Sequence, residues 1–391
     1  MNPKLLEAEI QKFIKDNEKS RVTDLALTKN PFPHVNWHEI LNQIVARQKA
    51  KYKLPTWYNT DSILYPEKVA VEQTSSETAA DYKSKLISGD SLIDLTGGFG
   101  IDDYYFSKTV KEVSHCEQNL ELSATAAHNF KALGADTITC VPGDSTEALR
   151  LLNRQWDWIY IDPSRRSETK GKVFLLKDCL PDVPALLDFY FRYTHNIMIK
   201  TAPLLDISAG LGELHAVKAI HIIAVTNEVK ELLWILEKGF EGSPLIVAAS
   251  ITDEGTDTFT AEWNDSTQAV YAAPELYLYE PNSAIMKSGA FGAVGTHFNV
   301  KKLHQHSQLY TSHELKAFPG RRFKINKILP YQKKEMKQYI EGNKMNVTVR
   351  NFPLGVTDLK KKWKIKDGGD RYTFFTTDLH DNKIVLLCAK I

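Results

Sequence analysis

The stretch Ser91-Leu92-Ile93-Asp94-Leu95-Thr96-Gly97-Gly98-Phe99-Gly100-Ile101-Asp102-Asp103 constrains the fold of this chain more than any other. A short apolar run enters a glycine turn, and the turn opens on a helix-like segment. Glycine lets the backbone approach a ligand closely because no Cβ stands in the way. The same rhythm continues downstream. Short apolar runs at 91–95, 112–116, 137–141, 156–161 and 197–201 read as strands. The intervening segments 102–108, 120–133, 145–154 and 173–193 read as helices. Apolar strands alternating with helices predict a parallel sheet covered on both faces, an α/β Rossmann-like architecture.

The flanking segments differ. Residues 1–85 read as a helical region, with Leu5, Ile10, Phe13 and Ile14, and then Ile40, Leu41, Ile44 and Val45, at helical spacing. Pro31 and Pro33 break the first run and Pro55 ends the second. Thr74 and Glu77 stand at capping-box spacing, so a third helix is expected from Thr74. The Rossmann-like domain is expected over 86–273. Its last strands, near 221–226, 228–236 and 245–251, read as antiparallel additions at the sheet edge; 227–239 could equally be a helix. Residues 253–273 read as a further strand pair or an insertion. A small Gly-rich connecting module should occupy 274–314. A compact α+β domain, in the order strand, helix, strand, helix, strand, should occupy 315–391.

Charge separates the two ends of the chain. Residues 315–391 hold 18 Lys and Arg against 7 Asp and Glu, a net of +11, although the whole chain is only +1. The first 314 residues therefore carry −10. Such asymmetry suits a polyanionic partner at the C-terminal end, or simply a solvated basic surface. Phe323, Tyr331, Tyr339, Phe352 and Trp363 are interleaved with these charges and would stack on unpaired bases if exposed. The four cysteines, at 116, 140, 179 and 388, form no CxxC pair. That argues against a zinc site and fits a reducing cytoplasm. No run approaches the roughly 18 apolar residues of a membrane span, and the first residues lack the apolar core of a signal peptide. His304, His306 and His313 have no Cys or paired acid beside them, so no metal is expected.

Acidic residues recur where strands of the predicted sheet end. Glu117 closes the second strand, where a carboxylate can accept hydrogen bonds from both ribose hydroxyls of an adenosine cofactor. Asp144 follows the third strand, within reach of an adenine amino group. Asp94 lies three residues before Gly97, where a carboxylate suits a cationic amino-acid end better than a pyrophosphate. There is neither a GxGxxG frame nor a GxxxxGK[ST] loop, which disfavours a dinucleotide enzyme and a P-loop nucleotidase. The candidate cofactor-binding residues are therefore Asp94, Thr96, Gly97, Gly98, Gly100, Asp102, Glu117, Gln118, Asp144 and Ser145. Asp94–Gly100 resembles motif I of class I methyltransferases, and Glu117 matches their ribose-binding acid, which implies S-adenosylmethionine as cofactor.

The fourth strand ends in Asp162-Pro163-Ser164-Arg165-Arg166. This is similar to the Asp-Pro-Pro-aromatic motif of amino-group methyltransferases, but Ser164 and Arg165 replace the second proline and the aromatic. Asp162, Pro163, Arg165 and Arg166 are the candidate catalytic residues. Asp162 would orient or deprotonate an acceptor nitrogen, and the arginines would clamp a phosphate. Lys200 ends the fifth strand as a possible phosphate contact, though an ordinary exposed strand-end lysine is the simpler reading. Thr74 and Ser75 could meet the cofactor's carboxylate, or merely cap a helix. Trp156, Trp158 and Tyr160 read as core.

Taken with Glu72-Gln73-Thr74-Ser75, Glu280-Pro281 and Lys287-Ser288-Gly289-Ala290-Phe291-Gly292, the chain resembles a family of bacterial class I methyltransferases. That family carries a small ferredoxin-like piece and a C-terminal THUMP-like domain. The resemblance implies an RNA substrate, transfer or ribosomal, bound through the basic C-terminal domain and methylated at a base nitrogen, with neither metal nor membrane. Methylation of DNA, protein or a small molecule, a non-catalytic RNA-binding role and an NAD(P) oxidoreductase are the competing readings. Glu117 and Asp162 together speak against the non-catalytic role, and the missing GxGxxG frame against the oxidoreductase.

Overall fold

The computed structural model describes residues 2–66, 68–165 and 175–391. The chain divides into two compact units, Met1–Lys218 with Leu232–Gly242, and Ala219–Glu231 with Ser243–Ile391.

The first unit is built on parallel strands β1 (Ser91–Asp94), β2 (Glu112–Glu117), β3 (Ile138–Pro142) and β4 (Trp156–Ile161). Two-residue strands β5 (Ser164–Arg165) and β6 (Cys179–Leu180) then pair with each other, and β7 (Thr194–Thr201) returns to the main sheet. The parallel order is β7-β4-β1-β2-β3. Two longer strands follow, β8 (Val217–Val225) and β9 (Glu228–Glu237). Residues 232–237 of β9 lie antiparallel to β7. All four residues of β1 are buried, as are five of the six in β4, because these central strands are covered on both faces. From β1 the chain builds outward through β2 to β3, and then crosses to β4 on the other side. Strand order reverses between β1 and β4, and a ligand crevice opens at the C-terminal ends of strands where such a reversal occurs.

The N-terminal helices Ala8–Asp16 and Trp37–Lys53 bury Ile10, Ile14, Ile40 and Ile44 in one cluster. Asn36 caps the second by accepting from the His38 N–H at 3.0 Å. Pro55 does not simply end that helix; it opens the next, Pro55–Asn59, where its missing N–H costs nothing. The third helix begins at Glu77, with Ser76 as its cap in place of Thr74. The Glu77 carboxylate is drawn away from a capping box by Thr56, whose N–H and Oγ1 both donate at 2.6 Å, and by Tyr105 Oη at 2.7 Å. Two amide side chains fix the segment Leu64-Tyr65. Gln43 bonds both backbone groups of Tyr65 at 2.7 and 2.9 Å, and Asn129 both those of Leu64 at 2.8 and 2.9 Å. A single-residue amide fork thus stands in for a neighbouring strand.

The long helix expected over 173–193 is replaced, among the described residues, by the 3-10 turn Leu176–Asp178, by β6 and by helix Val183–Tyr190. Pro181 lacks the N–H a helix interior requires, and Asp182 caps the new helix through Ala185 N–H.

In the second unit, β10 (Leu245–Thr252) pairs parallel with residues 219–225 of β8, and β11 (Gly255–Glu262) pairs antiparallel with β10. The expectation of a purely antiparallel edge is corrected for β8 and β10. The chain turns back through β9 before β10, so β10 again runs in the direction of β8. The alternative helix over 227–239 is excluded by β9.

A seven-stranded sheet forms the rest of this unit, from β12 (Tyr277–Pro281), β13 (Lys301–Lys302), β14 (Tyr310–Ser312), β15 (Gly320–Pro330), β16 (Asn346–Val349), β17 (Arg371–Thr377) and β18 (Lys383–Lys390). Its order is β13-β14-β12-β15-β18-β17-β16. Strand β12 of the connecting module pairs antiparallel with β15 of the basic segment, Leu278 facing Phe323. The expected boundary at 314/315 is therefore crossed by a continuous ladder. Strand β17 was absent from the expected order. Asp367-Gly368-Gly369-Asp370 reads as a loop, and Thr373, Thr376 and Thr377 mask the run, yet all three are buried at the sheet.

Candidate active site

The glycine turn joins β1 to helix Ile101–Phe106 with Gly98 at φ +58° and Gly100 at φ +81°, both left-handed. A Cβ at Gly97 would stand 2.2 Å from His115 Cε1, so the turn needs glycine there to lie over the ring. Asp94 is 2% exposed and turned inward, where its Oδ1 accepts from the Thr96 N–H at 2.7 Å and from Thr96 Oγ1 at 3.0 Å. Thr96 Oγ1 in turn accepts the Asp162 N–H at 2.7 Å, which ties the end of β4 to the turn after β1.

Glu117 closes β2 with Oε2 accepting from the Gly98 N–H at 2.9 Å and Oε1 from the Asn119 N–H at 2.6 Å. Two backbone donors hold the carboxylate side-on to the turn and leave lone pairs for a ligand. Asp144 caps helix Ser145–Leu152 through the Glu147 N–H at 2.9 Å. It is a helix cap as well as a cavity wall.

A cavity of about 810 Å³ opens at this edge, within the size range of small-molecule sites. Every candidate cofactor-binding residue lines it, and so do Asp162, Lys200, Thr74 and Ser75. Ser164, Leu180, Pro181 and Asp182 line its far side. Pro163 is not part of the wall. Arg165 contributes backbone to β5, and its side chain lies outside the described residues, as does all of Arg166.

Several of these lining residues are joined by a polar network, anchored on Lys83, that sequence reasoning missed. Lys83 is wholly buried, yet its ammonium sits 2.8 Å from Asp102 Oδ1 and 2.6 Å from Ser75 Oγ. Asp102 Oδ2 accepts from Ser75 Oγ at 3.0 Å and from Tyr160 Oη at 2.8 Å. Lys200 is 8% exposed, not an ordinary surface lysine; its ammonium lies 2.5 Å from Asp162 Oδ2 and 3.4 Å from Ser75 Oγ. Burial would raise the Asp102 carboxyl, but the Lys83 and Lys200 ammoniums and the hydrogen bonds from Lys83 and Tyr160 outweigh it and hold the group below its ordinary value. Tyr160, expected as plain core, is both core and polar partner. The available signal was the buried-lysine pattern: Lys83 sits on a helix whose neighbours Ala79 and Ala80 are apolar.

The other face of helix Ile101–Phe106 behaves oppositely. Asp103 is fully buried, with Oδ2 2.6 Å from His115 Nδ1. Burial, reinforced by Asp102, pushes Asp103 well above the usual carboxyl range, and burial reinforced by Asp103 does the same to Asp94. Burial pulls His115 down, against the opposing pull of Asp94 and Glu117. Burial thus pushes both the Asp103 carboxyl and the His115 imidazole toward their neutral forms under the glycine turn. Among the described residues, neither Asp103 Oδ1 nor His115 Nε2 has a hydrogen-bond partner.

In the second unit, the aromatic residues expected to stack on bases are largely core. Phe323 is fully buried, and Tyr331, Phe352 and Trp363 meet edge-on in a cluster with Phe375. Arg321 and Arg350 both bind Glu280, itself 4% exposed, the latter at 2.7 Å. Lys324, Lys327, Lys333, Lys334, Lys361, Lys362, Lys364 and Lys366 remain exposed. His304 is engaged by Asp381 at 3.0 Å and Asn351 at 2.9 Å.

An open parallel sheet with its strand-order reversal, glycine turn and acidic strand ends defines a class I methyltransferase fold. Residues 277–319 match a ferredoxin-like domain and residues 320–390 a THUMP-like domain. A solved structure from Porphyromonas gingivalis W83, of an inferred methyltransferase, is 30% identical with a TM-score of 0.90, covering 100% of this chain and 98% of that one. The chain belongs to that family, bacterial class I methyltransferases with a C-terminal THUMP-like domain. Other solved structures match over part of the chain. An rRNA methylase from Streptococcus thermophilus is 12% identical over 41% of this chain and 93% of that one, with a TM-score of 0.30. An O-methyltransferase from Bacillus cereus in complex with SAH is 9% identical over 59% of this chain and 100% of that one, with a TM-score of 0.33. No curated protein matches the chain. Among the described residues, no helix is long and apolar enough to cross a membrane.

Proposed function

We propose that this methyltransferase uses S-adenosylmethionine to methylate RNA at a base nitrogen. The observation that carries the reading is the shared cavity, which brings the glycine turn, Glu117, Asp144 and Asp162 to one sheet edge. The residues fit the cofactor on three counts. Gly98 would meet no atom closer than 3.6 Å with a Cβ, so the turn stands open to a close ligand. The Glu117 carboxylate, already held by two N–H groups, suits a vicinal diol. Asp144 offers an acceptor to an adenine amine beyond its helix-capping bond. When bound, the cofactor supplies a methyl group on a positively charged sulfur.

The protein's part is to hold and orient. Glu117 fixes the ribose end; Gly98 permits close backbone approach. Asp94 lines the cavity and sets the turn through Thr96, and burial raises its carboxyl above the ordinary value. Asp162 accepts a hydrogen bond from the acceptor amine at the far side of the cavity. Orientation of this kind lowers a displacement barrier by several kcal/mol without a covalent nucleophile. The exposed lysines of β15 and the helix Val356–Trp363 support RNA as the acceptor.

Calorimetric titration of wild type and Glu117→Ala with S-adenosylmethionine, and separately NADH, tests the cofactor. We expect saturable S-adenosylmethionine binding that weakens about 10- to 100-fold in the variant, the loss of hydrogen bonds to a charged group. NADH binding alone would overturn the reading. The acceptor is tested by transfer of tritiated methyl to unmodified transcripts of transfer and ribosomal RNA, against duplex DNA and protein controls.

A further inference from the structure

Asp162 and Lys200 leave adjacent parallel strands side by side, since Ile161 of β4 stands opposite Ile199 of β7. The Lys200 ammonium meets Asp162 Oδ2 at 2.5 Å, in a site where the lysine side chain is 10% exposed and the aspartate side chain 36%. The Asp162 N–H is held by Thr96 Oγ1 at 2.7 Å. Backbone and one carboxylate oxygen are thus both fixed, and Asp162 lines the cavity. Ser75 Oγ, 3.4 Å from the Lys200 ammonium, braces the lysine from the third side.

We infer that Lys200 is the positioning residue for Asp162. It compensates the carboxylate's charge and aims its remaining oxygen, so that Asp162 works as a fixed hydrogen-bond acceptor for an N–H of the RNA base and not as a proton-abstracting base. The inference rests on the methyltransferase reading above. The chemistry permits this division of labour. The acceptor nitrogen forms its bond to carbon as the carbon–sulfur bond breaks, and that electron pair stays on sulfur. The nitrogen, now cationic, releases its proton to water after transfer. An acceptor amine needs orientation before the step more than a base during it. A partly buried carboxylate with no compensating cation would instead be costly and poorly aimed. Asp162 therefore needs Lys200, and an amide at position 162 would not.

The test is a double-mutant cycle of Lys200→Met and Asp162→Asn. Its readouts are kcat and KM for methyl transfer to the unmodified transcripts, and calorimetric affinity for S-adenosylhomocysteine. Lys200→Met alone should lower kcat about 100-fold. In the Asp162→Asn background the same change should cost only about 3-fold, a coupling within the range contacting residues show. That second comparison never creates an uncompensated carboxylate, so it stays informative if the single variant folds poorly. Affinity for S-adenosylhomocysteine reads any effect of Lys200→Met that travels through Ser75 and Asp102, and that effect should be the same in both Asp162 backgrounds. An equal kcat cost of Lys200→Met in both backgrounds overturns the inference. A wild type that binds the cofactor yet methylates none of the RNA fails the RNA reading itself, and is distinct from an active wild type with an uncoupled cycle.

Discussion

Asp102 and Asp103 are sequence neighbours on one short helix, both buried, yet they look into two chemically opposite regions. Asp102 faces Lys83, Ser75, Tyr160 and Lys200 and is held in its charged form. Asp103 faces His115, with Asp94 nearby, and burial drives it toward the neutral form. Desolvation opposes ionisation in both places. The difference is that two ammoniums act on the first carboxylate, whereas among the described residues the second meets the His115 imidazole, which burial also pulls toward its neutral form. Burial alone does not decide the charge of a site; the partners gathered around it do.

Removing the cation should break this contrast most severely. Lys83→Met leaves Asp102 buried without its nearest countercharge and should cost about 3–5 kcal/mol in urea unfolding. Adding Asp102→Asn should recover most of that loss, whereas adding Asp103→Asn should not. The neutral region is sensitive to shape before charge. Gly97→Ala drives a Cβ into the His115 ring and should cost about 1–3 kcal/mol, together with cofactor affinity measured by calorimetry.

The pH dependence sharpens the comparison through opposite signs. Asp103 is raised in the fold, so its contribution is complete below the unfolded pKa of about 3.9 and fades as pH climbs through the folded value. The stability of wild type relative to Asp103→Asn should therefore fall as pH rises from about 4. Asp102 is lowered, so its contribution is present above about pH 3.9 and fades as pH drops through the folded value. The stability of wild type relative to Asp102→Asn should fall toward acid. Urea midpoints across a pH series read both slopes, and slopes of one sign would refute the contrast. The smallest effect belongs to the second unit. Lys324→Ala, at an exposed position of β15, should change stability by no more than about 0.5 kcal/mol. If RNA binds there, it should lower the salt slope of RNA binding by about one, read by titrations at several salt concentrations. Deleting residues 315–391 is the poorer experiment, because it would strip β15, β17 and β18 from the sheet that holds β12.

How much of this was legible beforehand follows from the range of the interactions concerned. Strand β4 was read with its full bounds and the other parallel strands to within a few residues, since a buried strand writes its apolar run directly into the chain. That the cofactor-edge candidates line one cavity follows from the same pattern, since they sit at or shortly after the ends of strands that the apolar runs mark. Strand β17 was not, because its burial is shared with β16 and β18 from elsewhere in the chain. Nor was the parallel pairing of β8 with β10, which local pattern does not encode.

The sequence by itself determined the glycine turn, the acidic residues at the ends of β1, β2 and β4, and the basic excess of the last 77 residues, because these depend only on residue type and spacing. Tertiary structure alone decided that Lys83 is buried against Asp102, that Lys200 answers Asp162, and that the Asp102 and Asp103 carboxyls are shifted in opposite directions. A carboxylate's state is set by the groups packed around it, and here those groups arrive from a helix ahead of the sheet and from β4 and β7, with Ser75 and Lys200 lying 125 residues apart in the chain.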